Sequence, residues 1–317
     1  MIHKSFSVSV IIPCFKNESV FSKTLEAVIG QTHKPTEIII VDSSKNYSIE
    51  NIVKLQEEKN NKKIAFKYIK VKKAYPGEAR NIGLKLTKLE FIALLDAKTI
   101  PKRNWLEKNL ELINDYDIIF GSTKYIPLKK YQEILCAATH GFLPIETTPG
   151  TVFKRHIIED KNYFIENVRT ADDFEWRIRL KKKGYRYRTN HDNFLEYKSL
   201  PNTHKESIFR YFIYSIHTAR VNIQKNIKDL YLGIFLFFLF LFIPRINYLI
   251  GWNDNSLIIT NAFKILFLFI IGIIFVNTLT NNYSNKITSY NFTNFIIKII
   301  LYFVIFILIY NWNMSIS

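Results

Sequence analysis

The chain has 317 residues, a net charge of +17 and two cysteines. Two cysteines without a CxxC pair do not support a disulfide framework or a zinc site. The basic charge fits an anionic membrane surface or nucleic acid, but the lysines are scattered and no nucleic-acid motif is present, so we expect no nucleic-acid partner.

The N-terminal part has the pattern of an open α/β sheet. A β-rich run at 7–12, ended by Pro13, is followed by a helical pattern at 19–31 and a continuous apolar run at 37–42. A continuous apolar run is typical of a strand buried on both faces. Strand, helix and strand within about 35 residues form a βαβ unit, so we expect the two strands to be parallel.

The pattern continues through the middle of the chain. Further strands are predicted at 65–71, 91–96 and 115–125, and a helix at 77–87. Another helix begins near 171, with acids in its first turn and lysines in its last, as the helix dipole favours, and Gly184 is its expected stop. Ligands of such sheets bind beyond the carboxyl ends of the strands. Those ends hold residues 13–18, 42–44 and 96–99.

The C-terminal part, residues 229–317, is predicted to be a membrane region with two or three transmembrane helices. Apolar runs at 230–252, 256–276 and 295–310 each approach the roughly 20 residues that span a bilayer. Each run has one basic residue, whose long side chain can snorkel toward the membrane surface. Two alternatives are buried core helices, which the lack of polar surface disfavours, and a shallower arrangement in which Pro244-Arg245 turns the first run back.

The orientation of the chain follows from its N-terminus and its charge. No signal peptide is recognised at the N-terminus, so we expect the folded part to stay in the cytosol. Anionic lipid on the cytoplasmic face attracts Lys and Arg. The sequence therefore predicts a multi-pass protein of the cell membrane, with its folded domain on the cytoplasmic side.

Five short stretches at predicted strand and helix ends together resemble the inverting family 2 glycosyltransferases. That family has a GT-A fold and uses nucleotide-sugar donors. The resemblance implies an α/β, GT-A-like, Rossmann-type mixed sheet flanked by helices, with a donor-binding half at 1–120 and an acceptor-binding, catalytic-base half at 121–228. The stretches are IIPCFKNE (11–18), VDSS (41–44), GEARNIGL (77–84), LLDAKT (94–99) and DDFEWRIRL (172–180).

The resemblance implies a first set of donor-binding residues at the ends of the first two strands. Asp42 can accept hydrogen bonds from the base or ribose, and Pro13 and Glu18 match family positions beside it. The alternative is that Asp42 caps the turn before Ser43-Ser44. The family often has two adjacent acids here, whereas this chain has one, which weakens the assignment to the base.

A second donor-binding set lies at the start of the helix predicted at 77–87. Gly77, Arg80 and Asn81 match the family stretch that lies under the donor. Gly77 would allow close backbone approach, and Arg80 or Asn81 could contact the ligand. The alternative is a helix N-terminus whose Arg80 pairs with a surface acid.

The family pattern implies the catalytic residues. A Glu-Asp pair followed by Arg-Leu takes the proton of the acceptor hydroxyl, and aligning Arg179-Leu180 on that pattern places Asp172 and Asp173 on the pair. Asp173 is then the general base. Trp176, one helical turn on, could form a wall of the acceptor site. The alternative is that both acids cap a helix and Trp176 is a core residue.

The metal-binding position of the family is altered. Asp96 matches the first Asp of the DxD motif, which contacts the donor, but Lys98 replaces the second, which ligates Mg²⁺ or Mn²⁺. A divalent ion would have only Asp96, the diphosphate and water, whereas the Lys98 ammonium could offset leaving-group charge without a metal. Alternation along a strand would put the two side chains on one side. His204 lies where some GT-A enzymes have a metal or phosphate contact, although a lone histidine is more often plain surface.

The interpretation is an inverting glycosyltransferase in cell-surface glycan synthesis, with a lipid-linked glycan or polyprenyl phosphate as acceptor. The alternative is a non-catalytic membrane scaffold with a GT-A fold, which the retained Asp96 and Asp173 disfavour. A processive synthase is disfavoured because no Gln-x-x-Arg-Trp motif follows the base. The sequence leaves the donor sugar, the linkage and the oligomeric state open.

Overall fold

The computed structural model describes residues 6–15, 18–60, 63–219 and 221, with Glu18 and Ala219 described by their backbone only. All of them lie in the first of the two units into which the chain divides, Met1–Ile223. Within the described part, no helix is both long and apolar enough to cross a bilayer. The predicted membrane segments at 230–252, 256–276 and 295–310 lie outside the described residues.

The strands of the described part form one mixed sheet of nine, in the order β3-β2-β1-β4-β7-β6-β9-β5, with β8 paired to β6. Strands β1 to β4 are parallel, and β7 joins β4 and β6 antiparallel. The strands are β1 (Val8–Cys14), β2 (Glu37–Asp42), β3 (Ala65–Lys70), β4 (Phe91–Leu94), β5 (Thr99–Ile100), β6 (Ile118–Tyr125), β7 (Ile145–Lys154), β8 (Tyr187–Thr189) and β9 (Leu195–Tyr197).

Helices cover the sheet and connect its strands. The predicted βαβ unit is confirmed, since β1 and β2 are parallel and a helix joins them. The helices are α1 (Glu18–Ile29), α2 (Ser48–Lys59), α3 (Pro76–Leu86), α4 (Trp105–Leu112), α5 (Lys130–Thr139), α6 (His156–Glu159), α7 (Asp172–Lys182) and α8 (His204–Ala219).

The core lies in two layers, one on each face of the sheet. Alternate residues of β2 divide between them: Ile38 and Ile40 pack in one cluster with α1, α2 and α4, and Ile39 and Val41 pack in the other with α3 and α7. All four are fully buried. Burial on both faces explains why this strand reads as an unbroken apolar run.

Several local features differ from the sequence prediction, among them the ends of β1 and β4 and the helix α2. Strand β1 continues through Pro13 to Cys14, and Pro13 lies past the last residue paired with β4, so its missing N–H costs no bond to that neighbour. Strand β4 ends at Leu94, two residues before Asp96. Helix α2 was not predicted, because its buried face is only Ile49, Val53 and Gln56.

Candidate active site

Asp96 and Lys98 lie in a turn that follows β4, and both side chains line a cavity that is described below. Because β4 ends two residues before Asp96, the alternation of a strand does not explain this arrangement. Residue Thr99 closes the turn, since its backbone N–H and its hydroxyl both donate to the Asp96 carbonyl, at 3.0 and 2.8 Å. The Thr24 hydroxyl donates to the Ala97 carbonyl from α1, at 3.1 Å. Asp96 and Lys98 were expected on one side of a strand. They do line one cavity, but a hydrogen-bonded turn rather than a strand puts them there.

Arg80 of α3 links the end of β4 to the start of α7. Its Nη2 donates to Asp96 Oδ1 at 2.8 Å, and its Nη1 donates to Asp172 Oδ2 at 2.9 Å. Only 4 % of the Arg80 side chain is exposed, against 38 % for Asp96. The guanidinium also stacks over the ring of Phe164, 5.3 Å from its centroid. Arg80, predicted to contact the donor, is instead a buried bridge between two carboxylates.

The predicted acid pair lies at the first residues of α7. Asp172 is buried, whereas Asp173 is half-buried and accepts a hydrogen bond from the Phe174 backbone N–H at 2.8 Å. The preceding Ala171 has a φ of 69°, a left-handed conformation that a non-glycine residue adopts only under constraint. This sharp entry into the helix presents both carboxylates at its N-terminus, where the dipole favours negative charge.

Asp96 and Asp172 both bond to the Arg80 guanidinium, and the pKa of the buried Asp172 is shifted. Burial raises the pKa of Asp172 to about 7, Arg80 opposes the shift, and Asp173 and Asp96 add to it. Burial alone would lower the pKa of Arg80, but Asp96, Asp172 and Asp173 raise it well above its usual range. The site therefore holds a permanently charged Arg80 and one carboxyl group, that of Asp172, whose pKa lies near neutral pH.

We expect the stability of the protein in detergent to fall between about pH 4 and pH 7 because of Asp172. Its unfolded pKa is about 3.9, and the folded value is higher, so in this window the folded state holds a proton that the unfolded state has lost. Such a group loses stabilising free energy as pH rises to the folded pKa. Urea midpoints at pH 5 and pH 8 measure the difference, which Asp172→Asn should reduce. The exposed Asp115→Asn is the control, and equal pH dependence in all three proteins would contradict this assignment.

A cavity of about 790 Å³ opens at the carboxyl ends of β1 and β4. Pro13, predicted to bind the donor, lies in its wall, whereas the side chain of Glu18 is outside the described part. The described part of its lining has five basic residues and one acid, so its potential favours an anion. The charged lining residues are Lys45, Lys72, Lys73, Lys98, Arg169 and Asp96.

Lys98 points into this basic environment. Burial lowers the pKa of Lys98, and Arg210 and Arg169 lower it further, while Asp96 and Glu206 oppose the shift. A cation that is repelled by two arginines gains when an anion binds among them. The position suits a group that contacts a diphosphate.

Asp42 is not at the cavity surface. Its side chain is fully buried, and its Oδ2 accepts from Tyr68 and from Lys70, both at 2.8 Å. Its Oδ1 accepts from the Ser44 backbone N–H at 2.8 Å. Burial acts against ionisation, but hydrogen bonds from Lys70, Ser44 and Tyr68 hold the pKa of Asp42 below its usual value. The predicted base contact is therefore corrected: Asp42 closes the turn after β2, as in the alternative reading.

The residues predicted to lie under the donor instead contact the protein. A Cβ on Gly77 would come within 2.6 Å of the Ile165 carbonyl and 3.0 Å of Asp172 Oδ2. Asn81 is buried, donates to the Phe164 carbonyl at 2.9 Å and accepts from the backbone N–H of the same residue. The close approach at Gly77 is real, but its partner is the loop before α7 rather than the donor.

The prediction that Trp176 lines the acceptor site is wrong. Its side chain is fully buried, and its Nε1 donates to the Asn162 carbonyl at 2.8 Å. Its ring stacks on Phe164 with centroids 4.7 Å apart. Because Phe164 lies under the Arg80 guanidinium, Trp176 supports the charged site from within the core.

The residues around Asp96 do not fit a divalent-cation site with several protein ligands. Within the described part, no group of three or more His, Cys, Asp or Glu could hold a metal ion. His204, predicted as a metal or phosphate contact, is exposed at the start of α8, with its ring 4.1 Å from that of Tyr131, and is not in the cavity wall. Among the residues that the structure describes, Asp96 is the single carboxylate in that wall.

The cavity also contains residues that sequence reasoning missed. Tyr197 at the end of β9 and Tyr214 of α8 form part of its wall, together with Tyr75 and Arg169. None of them lies in a motif stretch, so only the folded chain brings them to the site. Aromatic rings can pack against the face of a sugar, and the basic side chains beside them can bind a diphosphate.

Comparison with known proteins places the chain in a family. Residues 9–215 match the model of glycosyl transferase family 2. The chain is 29 % identical over 182 residues to an uncharacterised glycosyltransferase of Rickettsia bellii, covering 54 % of this chain and 26 % of that protein. It is 27 % identical over 206 residues to the putative teichuronic acid biosynthesis glycosyltransferase TuaG of Bacillus subtilis, covering 62 % and 80 %. The chain thus spans about a quarter of the length of the Rickettsia relative.

The fold is similar to that of solved glycosyltransferase structures, among them one from Staphylococcus aureus. Staphylococcus aureus TarS residues 1–349, crystallised with UDP-GlcNAc, aligns with a TM-score of 0.51 at 18 % identity, covering 87 % of this chain and 80 % of that one. At this identity the likeness concerns the fold, which is GT-A-like.

Proposed function

Because the chain belongs to glycosyl transferase family 2, we propose that it transfers a sugar, with inversion, from a nucleotide-sugar donor to an acceptor at a membrane. The observation that carries the proposal is the Arg80 bridge. It ties Asp96, in the wall of a basic cavity, to the Asp172-Asp173 pair at the start of α7.

In this proposal the roles are divided between the cavity wall and the start of α7, which the Arg80 bridge connects. The basic lining neutralises a diphosphate, and Lys98 beside Asp96 offsets the charge that develops on the leaving group. Asp173 takes the proton of the acceptor hydroxyl as it attacks the anomeric carbon. Asp172, held by Arg80, sets the orientation of the first turn of α7 and therefore the position of Asp173.

The membrane setting is part of the proposal. From Tyr231 onward the chain has only four of its 44 basic residues, and this part is largely apolar. We propose that it anchors the enzyme in the cell membrane with the catalytic domain on the cytoplasmic side. A lipid-linked glycan or polyprenyl phosphate would then meet the enzyme in the plane of the bilayer, in the synthesis of a cell-surface glycan.

A donor screen tests this function. The purified full chain in detergent is offered a panel of nucleotide-sugars with lipid extract as the acceptor source, and released nucleotide and labelled glycolipid are measured. We expect one donor to give both products. Nucleotide release and glycolipid labelling no greater than in the Asp173→Asn protein, for every donor, would overturn the proposal.

We expect activity to survive a chelator better than a two-carboxylate site would allow. Lys98→Ala should then slow transfer by on the order of 10²-fold, because the leaving group loses a cation. Lys98→Asp should make activity depend on added Mg²⁺ or Mn²⁺. The exposed Lys88→Ala is the control for loss of a lysine. If chelator abolishes wild-type activity while Lys98→Ala is nearly silent, a metal held by Asp96 carries the charge instead.

A further inference from the structure

Helix α8 exposes a continuous apolar stripe. Ile208, Phe209 and Phe212 are 72 %, 68 % and 62 % exposed, and Ile216 is 40 % exposed. Phe209, Phe212 and Ile216 follow Ile208 by one, four and eight residues, and this spacing puts all four on one side of the helix. We call these four residues the outer face of α8.

The opposite side of α8 is polar and faces the domain. Ser207 is buried and accepts a hydrogen bond from the Tyr131 hydroxyl of α5 at 2.6 Å. Tyr214 lies in the wall of the cavity, and Arg210 is close enough to Lys98 to lower its pKa. A surface helix in water normally has the reverse arrangement, with its apolar stripe toward the core. The outer face therefore suits a helix that meets an apolar environment.

Helix α5, which is hydrogen-bonded to α8, is flanked by exposed apolar and basic side chains. Leu128, just before α5, is 64 % exposed, and Leu143, shortly after it, is 78 % exposed. Lys129 and Lys130 are exposed next to Leu128, and α5 itself has one acid, Glu133. Apolar side chains flanked by lysines match the boundary between acyl chains and anionic headgroups.

We infer that the outer face of α8 lies in the interface of a bilayer that contains anionic lipid. The inference rests on the proposed membrane attachment and goes beyond it. The ten residues 220–229 separate α8 from the apolar run at 230–252, and fully extended they span about 35 Å. If that run enters the bilayer, α8 is held near its surface, and its apolar stripe is the face suited to enter.

This placement would orient the active site. One side of α8 contributes Tyr214 to the cavity wall, and the other side lies among lipids. The cavity is then held at the depth of the headgroups, where the phosphate and first sugar of a lipid-borne acceptor reside. Such an acceptor could reach the site without leaving the membrane.

Depth measurement in nanodiscs tests the inference. The full chain is reconstituted at one copy per disc, in phosphatidylcholine with phosphatidylglycerol, and labelled with a fluorophore at Ile208→Cys or Phe212→Cys. Leu55→Cys on α2 is the matched control, because Leu55 is also apolar and 50 % exposed. Cys14 and Cys136 are buried, and the unsubstituted chain reports their labelling. We expect lipids with a quencher on the acyl chain to quench both α8 labels several-fold more than the control.

The other outcomes each overturn the inference in a distinct way. Labels on α8 that are quenched by aqueous iodide as strongly as the control would show a face in water. Labels shielded from both quenchers would show that another part of the chain covers the face. Shielding that appears only with two copies per disc would assign it to a second copy. A chain that does not co-purify with discs would overturn both this inference and the proposed membrane attachment. The proposed sugar transfer is tested separately, by the donor screen.

Discussion

Asp173→Asn is expected to lower turnover by ~10² to 10⁴-fold, the usual cost of losing a positioned general base. Folding and donor binding should change little. The Asp173 carboxylate is half-buried and accepts one backbone hydrogen bond, from Phe174, which an asparagine oxygen can also accept. The loss should therefore fall on kcat rather than on KM for the donor.

Steady-state kinetics with the donor from the screen, and donor binding measured by calorimetry, separate these two effects. The control is Asp115→Asn, the same chemical change at an exposed position. Turnover at the wild-type rate in Asp173→Asn would contradict the assignment and move the role of base to Asp172 or Glu175. Lost donor binding would instead show that Asp173 contacts the donor.

Arg80→Met is expected to destabilise the folded domain by about 3–5 kcal/mol, the usual cost of removing one partner from a buried ion pair. The Arg80 and Asp172 side chains are only 4 % and 3 % exposed, so water cannot replace the guanidinium. Asp172 would be left with Asp173 and Asp96 as like-charged neighbours. Arg80→Lys should recover part of the loss, because an ammonium restores the charge but not the fork that reaches two carboxylates.

Urea denaturation in detergent measures the effect on stability. The control is Arg186→Met, which removes an arginine whose side chain is 64 % exposed in its ion pair with Asp117, because exposed ion pairs contribute little to stability. Combining Arg80→Met with Asp172→Asn should cost less than the sum of the single changes, because the unpaired charge is gone. Equal midpoints for Arg80→Met and Arg186→Met would show that the bridge contributes no more than a surface pair.

Local sequence patterns predict several of the strands and helices, and the predicted parallel sheet indicates the edge at which the candidate site lies. Strand β2, the start of α7 and the stop at Gly184, where φ is 82°, follow from local rules of periodicity, dipole and backbone conformation. Ligands of parallel sheets bind at the carboxyl ends of the strands, so polar residues after β4 were expected at the site. In the structure Asp96 lies in the wall of the cavity. Local sequence carries the first three features because each depends on neighbours within a few residues, whereas the position of Asp96 follows from the order of the strands.

The folded chain is needed to show which side chains line the cavity and which bond to other parts of the protein. Arg80 bonds to Asp96, 16 residues away, and to Asp172, 92 residues away. A motif marks Arg80 as important, yet it does not show whether the guanidinium faces solvent or is enclosed between two carboxylates. Trp176 had the right spacing for a wall of the site, but packing against Phe164 placed it in the core. The physical reason is that burial and charge pairing are set by long-range packing, which no local spacing encodes.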